Sequence, residues 1–126
     1  MIEILIVEDN AEFREMLRAI LQAGFPRAGI ALAEEGEAAL RKIKAKKPDM
    51  VFMDIRMPGR SGIAVAGEIK ELYPDIIVAF LTNMDGSEYR EAAFAAGADF
   101  FLSKESAKAE EIQNLVASII ARISDQ

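Results

Sequence analysis

Three acids, a hydroxyl and an ammonium stand where apolar runs of this chain end. Glu8 and Asp9 follow residues 2–7, Asp54 follows Val51-Phe52-Met53, Thr82 and Asn83 follow residues 76–81, and Ser103 and Lys104 follow residues 100–102. Carboxylates gathered in one place repel one another, so they raise each other's pKa or require a cation. A hard divalent ion with oxygen ligands meets that need, and Mg²⁺ takes one or two carboxylates together with waters and phosphate oxygens. A lysine facing the acids adds a second positive charge without being a metal ligand. Such a set suits phosphoryl transfer, where positioning and charge neutralisation carry most of the catalysis. A carboxylate can itself accept the phosphoryl group, and Thr82 would then hydrogen-bond a phosphoryl oxygen.

Each residue also has a plainer role. Asp54 precedes the turn Met57-Pro58-Gly59, so it is either a turn residue or a reactive group. Glu8 and Asp9 suit the start of a helix, where acids favour the dipole. Thr82 suits a loop and Lys104 a surface. Joint placement separates the readings, because a charge cluster at one buried edge is costly unless it is used.

Composition narrows the chemistry further. The 126 residues contain no histidine and no cysteine, which excludes an imidazole base, a phosphohistidine carrier, thiolate chemistry, disulfides and Cys or His metal ligands. A net charge of −6 argues against binding nucleic acid through its phosphates. The basic cluster Arg41, Lys42, Lys44, Lys46 and Lys47 falls at the end of an expected helix and reads as a solvated face. No apolar run is long enough for a membrane span, and the start lacks a basic leader region, so the expected location is the cytoplasm.

The elements that must position these groups alternate regularly. Strands are expected over 2–7, 28–33, 49–53, 76–81 and 100–102, each short and largely apolar. Helices are expected from an N-cap at Asn10 to Gly24, over 36–47, over 62–72, from a cap at Ser87 to Ala96, and over 109–123. The last carries Ile112, Leu115, Val116, Ile119, Ile120 and Ile123 on one broad stripe. Five β-α repeats imply one α/β domain over 1–126, with a parallel sheet covered by helices on both faces. Strand ends then share one edge, where ligands of such sheets bind. Periodicity does not give the strand order.

Four pieces in order and spacing now matter: Ile6-Val7-Glu8-Asp9-Asn10, Met53-Asp54-Ile55-Arg56-Met57-Pro58-Gly59 with Gly62, Leu81-Thr82, and Gly97-Ala98-Asp99-Phe100-Phe101-Leu102-Ser103-Lys104. Together they resemble the receiver domain of two-component response regulators over nearly the whole chain. The resemblance implies a flavodoxin-like sheet in the order 2-1-3-4-5, an arrangement the receiver fold exemplifies. It implies Asp54 as phosphoacceptor, with Mg²⁺ bound by Asp9, Asp54 and the backbone carbonyl of Arg56, and with Glu8 acting mostly through water. Lys104 would contact the phosphoryl group, while Thr82 and then Phe101 would carry the switch to the face formed by the fourth helix, fifth strand and fifth helix. Phe101 also reads as plain core, and Phe100 competes with it. The partners implied are a sensor histidine kinase or phosphotransfer protein, and an effector, an attached output domain or a second copy of the chain. Neither membrane nor nucleic acid is a partner expected of this domain itself. Phe13, Arg14 and Leu17 are candidates for the face that meets the phosphodonor, or else for core and solvated surface.

Two positions depart from the family pattern. Glu105 follows Lys104 where proline is usual, and Asn83 follows Thr82 where a small residue is usual. The domain would be no enzyme beyond Mg²⁺-dependent self-phosphorylation and autodephosphorylation. The alternative is a receiver-like interaction module that does not use phosphate. A haloacid-dehalogenase-type phosphatase lacks its second Asp, since Arg56 stands there, and no glycine-rich nucleotide loop is present. The chain reads either as a single-domain regulator or as a receiver from a longer protein.

Overall fold

A computed structural model describes residues 1–124; Asp125 and Gln126, the last two of the expected domain, lie outside the described residues. The apolar runs form β1 (Glu3–Val7), β2 (Gly29–Ala33), β3 (Met50–Met53), β4 (Ile77–Thr82) and β5 (Phe100–Ser103). Between and after them lie α1 (Ala11–Gly24), α2 (Gly36–Ala45), α3 (Gly62–Leu72), α4 (Ser87–Ala95) and α5 (Ala109–Ser124). All strand pairs are parallel and their order is β2-β1-β3-β4-β5, as the resemblance implies.

Alternation along the strands builds two cores. Val7, Val51, Met53, Val78, Phe80 and Phe101 face α2, α3 and α4. Ile4, Ile6, Met50, Phe52, Ala79 and Leu81 face α1 and α5, with Leu17, Leu21, Ile112, Val116 and Ile119 opposite them. Burial on both faces explains why these strands are almost wholly apolar.

Asn10 caps α1 as expected, its side-chain oxygen accepting the Phe13 N–H at 2.8 Å. Asn10→Ala should therefore cost about 1 kcal/mol, read as a lower midpoint in urea unfolding with an unchanged slope; an unaltered midpoint would mean that water caps the helix equally well.

Two local expectations are corrected. Ser87 is the first residue of α4 and not its cap: Gly86 occupies the cap, without a side-chain bond. Asp85 is held at Ser103 Oγ, 2.7 Å away, which leaves Gly86 to make the turn into the helix. Ile123 is 41% exposed although it continues the apolar stripe of α5. Sixteen helical residues rise roughly 24 Å, whereas a strand of four to six covers roughly 13–20 Å, so the helix overruns the sheet. Other element ends differ by a residue or two, within ordinary fraying.

Candidate acidic phosphoryl-transfer site

Parallel pairing continues one residue past the strands and brings the acids together. The Glu8 N–H donates to Ala33 O at 3.0 Å, and the Asp54 N–H donates to Val7 O at 3.2 Å. On the other side the Lys104 N–H donates to Thr82 O at 2.9 Å. Carboxylate oxygens of Glu8, Asp9 and Asp54 consequently lie within 4.8 Å of one another. The crevice they share, about 650 Å³, is also lined by Asn10, Arg56, Thr82, Asn83, Met84 and Lys104.

Lys104 neutralises part of this charge. Its Nζ lies 2.6 Å from Glu8 Oε1 and 3.1 Å from Asp54 Oδ2. The three side chains are at most 10% exposed. Burial pushes the Glu8 pKa up, and the Asp54 charge adds to this; the bonds from Lys104 and the Asn10 N–H only partly offset it. Burial by itself would lower the Lys104 pKa, but its bonds to Glu8 and Asp54 outweigh that and raise it. Lys104 is therefore an ammonium at neutral pH. Asp9 is exposed and keeps one side of the crevice open to solvent.

Three carboxylates against one ammonium leave negative charge uncompensated, and all the donors are hard oxygens. The residues present fit a Mg²⁺ ion, with Asp9 on the side where waters could remain.

Thr82 is fully buried, its Oγ1 accepting the Met84 N–H at 3.1 Å. Phe101 pairs with Phe80 across β4 and β5, is 9% exposed, and has ring centroids of Phe80 and Phe94 at 6.2 and 6.4 Å. Phe100 points to the opposite core. The Arg90 guanidinium stands 5.3 Å from the Phe94 ring and 5.6 Å from the Phe101 ring. Nothing in the sequence marked Arg90, because only the crossing of α4 over β5 joins it to Phe101.

Arg14 and Leu17 divide otherwise than one donor-facing surface would require. Leu17 is core at 2% exposure. Arg14 Nη1 donates to the Glu8 backbone carbonyl at 2.8 Å and Nη2 pairs with Glu34 at 3.4 Å, so this side chain braces the acidic turn. Phe13 lies beside Lys104, a contact with no signal in the sequence.

Glu105 is accommodated without a cis peptide bond. Ser103 holds the turn instead: its Oγ accepts the Glu105 N–H at 3.3 Å and its carbonyl accepts the Ala107 N–H at 2.9 Å.

Comparison with known proteins agrees with this geometry. Residues 4–117 match the family model of the response regulator receiver domain. The chemotaxis protein CheY of Halobacterium salinarum is 37% identical over 102 residues, covering 81% of this chain and 83% of CheY. Response regulator MprA of Mycolicibacterium vanbaalenii is 34% identical over 116 residues, covering 92% of this chain and 49% of MprA. The chain thus spans about half the length of that relative. The receiver domain of a DNA-binding response regulator (merR) from Colwellia psychrerythraea superposes with a TM-score of 0.85 at 29% identity, each chain covered completely. No helix among the described residues is long and apolar enough to cross a membrane. Because the match along residues 4–117 takes in every strand end that borders the crevice, the chain belongs to the response regulator receiver domain family, the phosphorylation-activated signalling domains of two-component systems.

Proposed function

We propose that Asp54 is the phosphoacceptor of this domain and that its donor is the phosphohistidine of a sensor kinase or phosphotransfer protein. The observation that supports this most is the pairing of Asp54 Oδ2 with Lys104 Nζ at 3.1 Å, beside Glu8 and Asp9. An Asp54 oxygen forms the new bond to phosphorus as the phosphorus–nitrogen bond breaks, and the imidazole leaves with the electron pair. Asp54 Oδ1 already accepts the Ile55 N–H at 2.7 Å, which fixes the carboxylate plane and leaves Oδ2 toward the crevice. Lys104 exchanges its carboxylate partner for a phosphoryl oxygen, so its charge stays matched throughout. Glu8, Asp9, Asp54 and the Arg56 carbonyl would hold Mg²⁺, which when bound supplies charge neutralisation at the phosphoryl oxygens.

Thr82 carries the signal outward. Its hydroxyl turns to donate to a phosphoryl oxygen and gives up the Met84 N–H that it accepts at 3.1 Å, freeing the loop before α4; Phe101, two strand positions from the crevice, repacks with α4. The α4, β5 and α5 face then meets an effector, an output domain or a second copy. The complete set of acids and lysine weighs against a module indifferent to phosphate.

Intact mass after incubation with acetyl phosphate tests the reading. One phosphoryl addition should form only with Mg²⁺, be removed by neutral hydroxylamine as an acyl phosphate is, and map to the peptide holding Asp54. A hydroxylamine-stable adduct, or none, would refute it.

Asn83 borders both the crevice and the groove beside it. With a smaller side chain there, water reaches the acyl phosphate more easily. Asn83→Ala should shorten the phosphoryl-group lifetime severalfold, measured by loss of the adduct with time; equal lifetimes would remove Asn83 from the shielding of the site.

A further inference from the structure

Lys104 is gripped on more than its carboxylate side. Its Nζ lies 4.3 Å from the centroid of the Phe13 ring, while Glu8 and Asp54 accept from it at 2.6 and 3.1 Å. Phe13 stands in the first turn of α1, and the Asn10 cap on its own N–H fixes where the ring emerges. The ring is half-buried against the core shared by α1 and α5. With Met16, Asn83 and Lys104 it lines the groove next to the acidic crevice.

A lysine ammonium is a point charge on a flexible four-carbon stem, and nothing in its own chemistry fixes its direction. An aromatic face attracts it through the ring quadrupole, more strongly where water is excluded. The two carboxylates hold the ammonium only in their present charge state, and Asp54 changes that state when it accepts a phosphoryl group. The attraction of the ring does not depend on Asp54.

We propose that Phe13 is a positioning residue for phosphotransfer, its ring holding the Lys104 ammonium over the crevice from free carboxylate to acyl phosphate. This rests on the reading of Asp54 as phosphoacceptor. The step itself is unchanged: oxygen–phosphorus bond formation at Asp54, departure of the donor group, and no proton taken from Lys104. Phe13 acts through the lysine and touches none of the reacting atoms.

Fluorination separates this role from simple core packing. Phe13 is replaced in the full chain by 4-fluoro-, 3,5-difluoro- and 3,4,5-trifluorophenylalanine, which keep the ring's shape but drain charge from its face. Acetyl phosphate serves as donor, with Mg²⁺, so that docking of a protein partner plays no part. The rate of adduct formation should fall stepwise, by roughly three- to tenfold at the trifluoro ring, while Phe13→Tyr stays near the parent. In metal-free protein the Lys104 Hε resonances should lie upfield of those of a solvated lysine, and lose that shift in Phe13→Leu.

Rates indifferent to fluorination overturn the proposal, as do Hε resonances at solvated-lysine positions. If the parent protein forms no adduct at Asp54, the phosphoacceptor reading has failed; the Hε resonances then still decide whether the ring holds the ammonium.

Discussion

Lys104→Met should destabilise the domain by about 3 kcal/mol at pH 7, at the lower end of the range for breaking a buried ion pair. Methionine keeps the length of the stem but removes the ammonium from between Glu8 and Asp54, which are 2.6 and 3.1 Å from it and almost fully buried. Two carboxylates then face each other and Asp9 with no cation. The lower end applies because Asp9 is exposed and admits water, and because Asn10 and Ile55 still donate to the two acids.

The deficit depends on pH in a stated direction. Burial already raises the Glu8 pKa above its ordinary 4.5, and Lys104 opposes that rise. Without the lysine, the folded pKa climbs further while the unfolded one stays put. A carboxylate with a raised folded pKa loses stability as pH rises from its unfolded pKa through its folded one. The variant should therefore trail the parent most at neutral pH and approach it near pH 4.5. The lysine's own contribution is complete at pH 7, since its raised folded pKa places any loss only in alkaline solution. Urea unfolding at pH 7 and pH 5, with and without Mg²⁺, checks both points. Mg²⁺ should restore more stability to the variant than it adds to the parent. A pH-independent deficit would mean that lost packing and not uncompensated charge is responsible.

Gly62→Ala should cost about 3 kcal/mol or more and impair phosphotransfer in whatever protein still folds. A Cβ at Gly62 would meet Asp54 O at 1.9 Å, Asp54 C at 2.9 Å and Ile55 Cα at 3.1 Å. All three are backbone atoms, so no side chain can turn away. Overpacking usually costs 1–3 kcal/mol, and the rigid neighbours put this case at or beyond the top of that range. Relief requires displacing the segment that carries Asp54 and Arg56, or breaking the 2.8 Å bond from the Gly62 N–H to Ile55 O. Urea unfolding measures the stability and acetyl phosphate labelling measures the function. A variant as stable and as readily labelled as the parent would show that the loop yields at little cost. Gly59 is a useful contrast. Among the described residues nothing lies within 4 Å of its missing Cβ, and its positive φ of 78° is what opposes a side chain, so Gly59→Ala should cost about 1 kcal/mol.

The two glycines show where sequence reading stops. Pro58-Gly59 announces a turn by its chemistry alone. Gly62 is the same residue three positions on, and its role follows from the start of α3 passing against the Asp54 carbonyl. Ser87 and Ile123 depart from their local patterns for the same kind of reason: Asp85 is engaged by Ser103, and α5 runs past the sheet. Phe101 could be told from Phe100 only once β5 was paired, because strand alternation gives each a different core.

By itself the sequence determined that five β-α units fold into one sheet and that Glu8, Asp9, Asp54, Thr82 and Lys104 belong to strand ends along one edge. Those are local matters, since hydrophobic periodicity and turn chemistry act within a few residues of chain. The resemblance supplied the strand order and the family. The tertiary structure alone decided which groups touch. It set Lys104 between two buried acids with Phe13 beneath it, made Arg14 a brace and Leu17 core, and placed Arg90 over Phe101. Contacts between residues tens of positions apart depend on helix crossings and strand register, and these are fixed only when both cores pack at once.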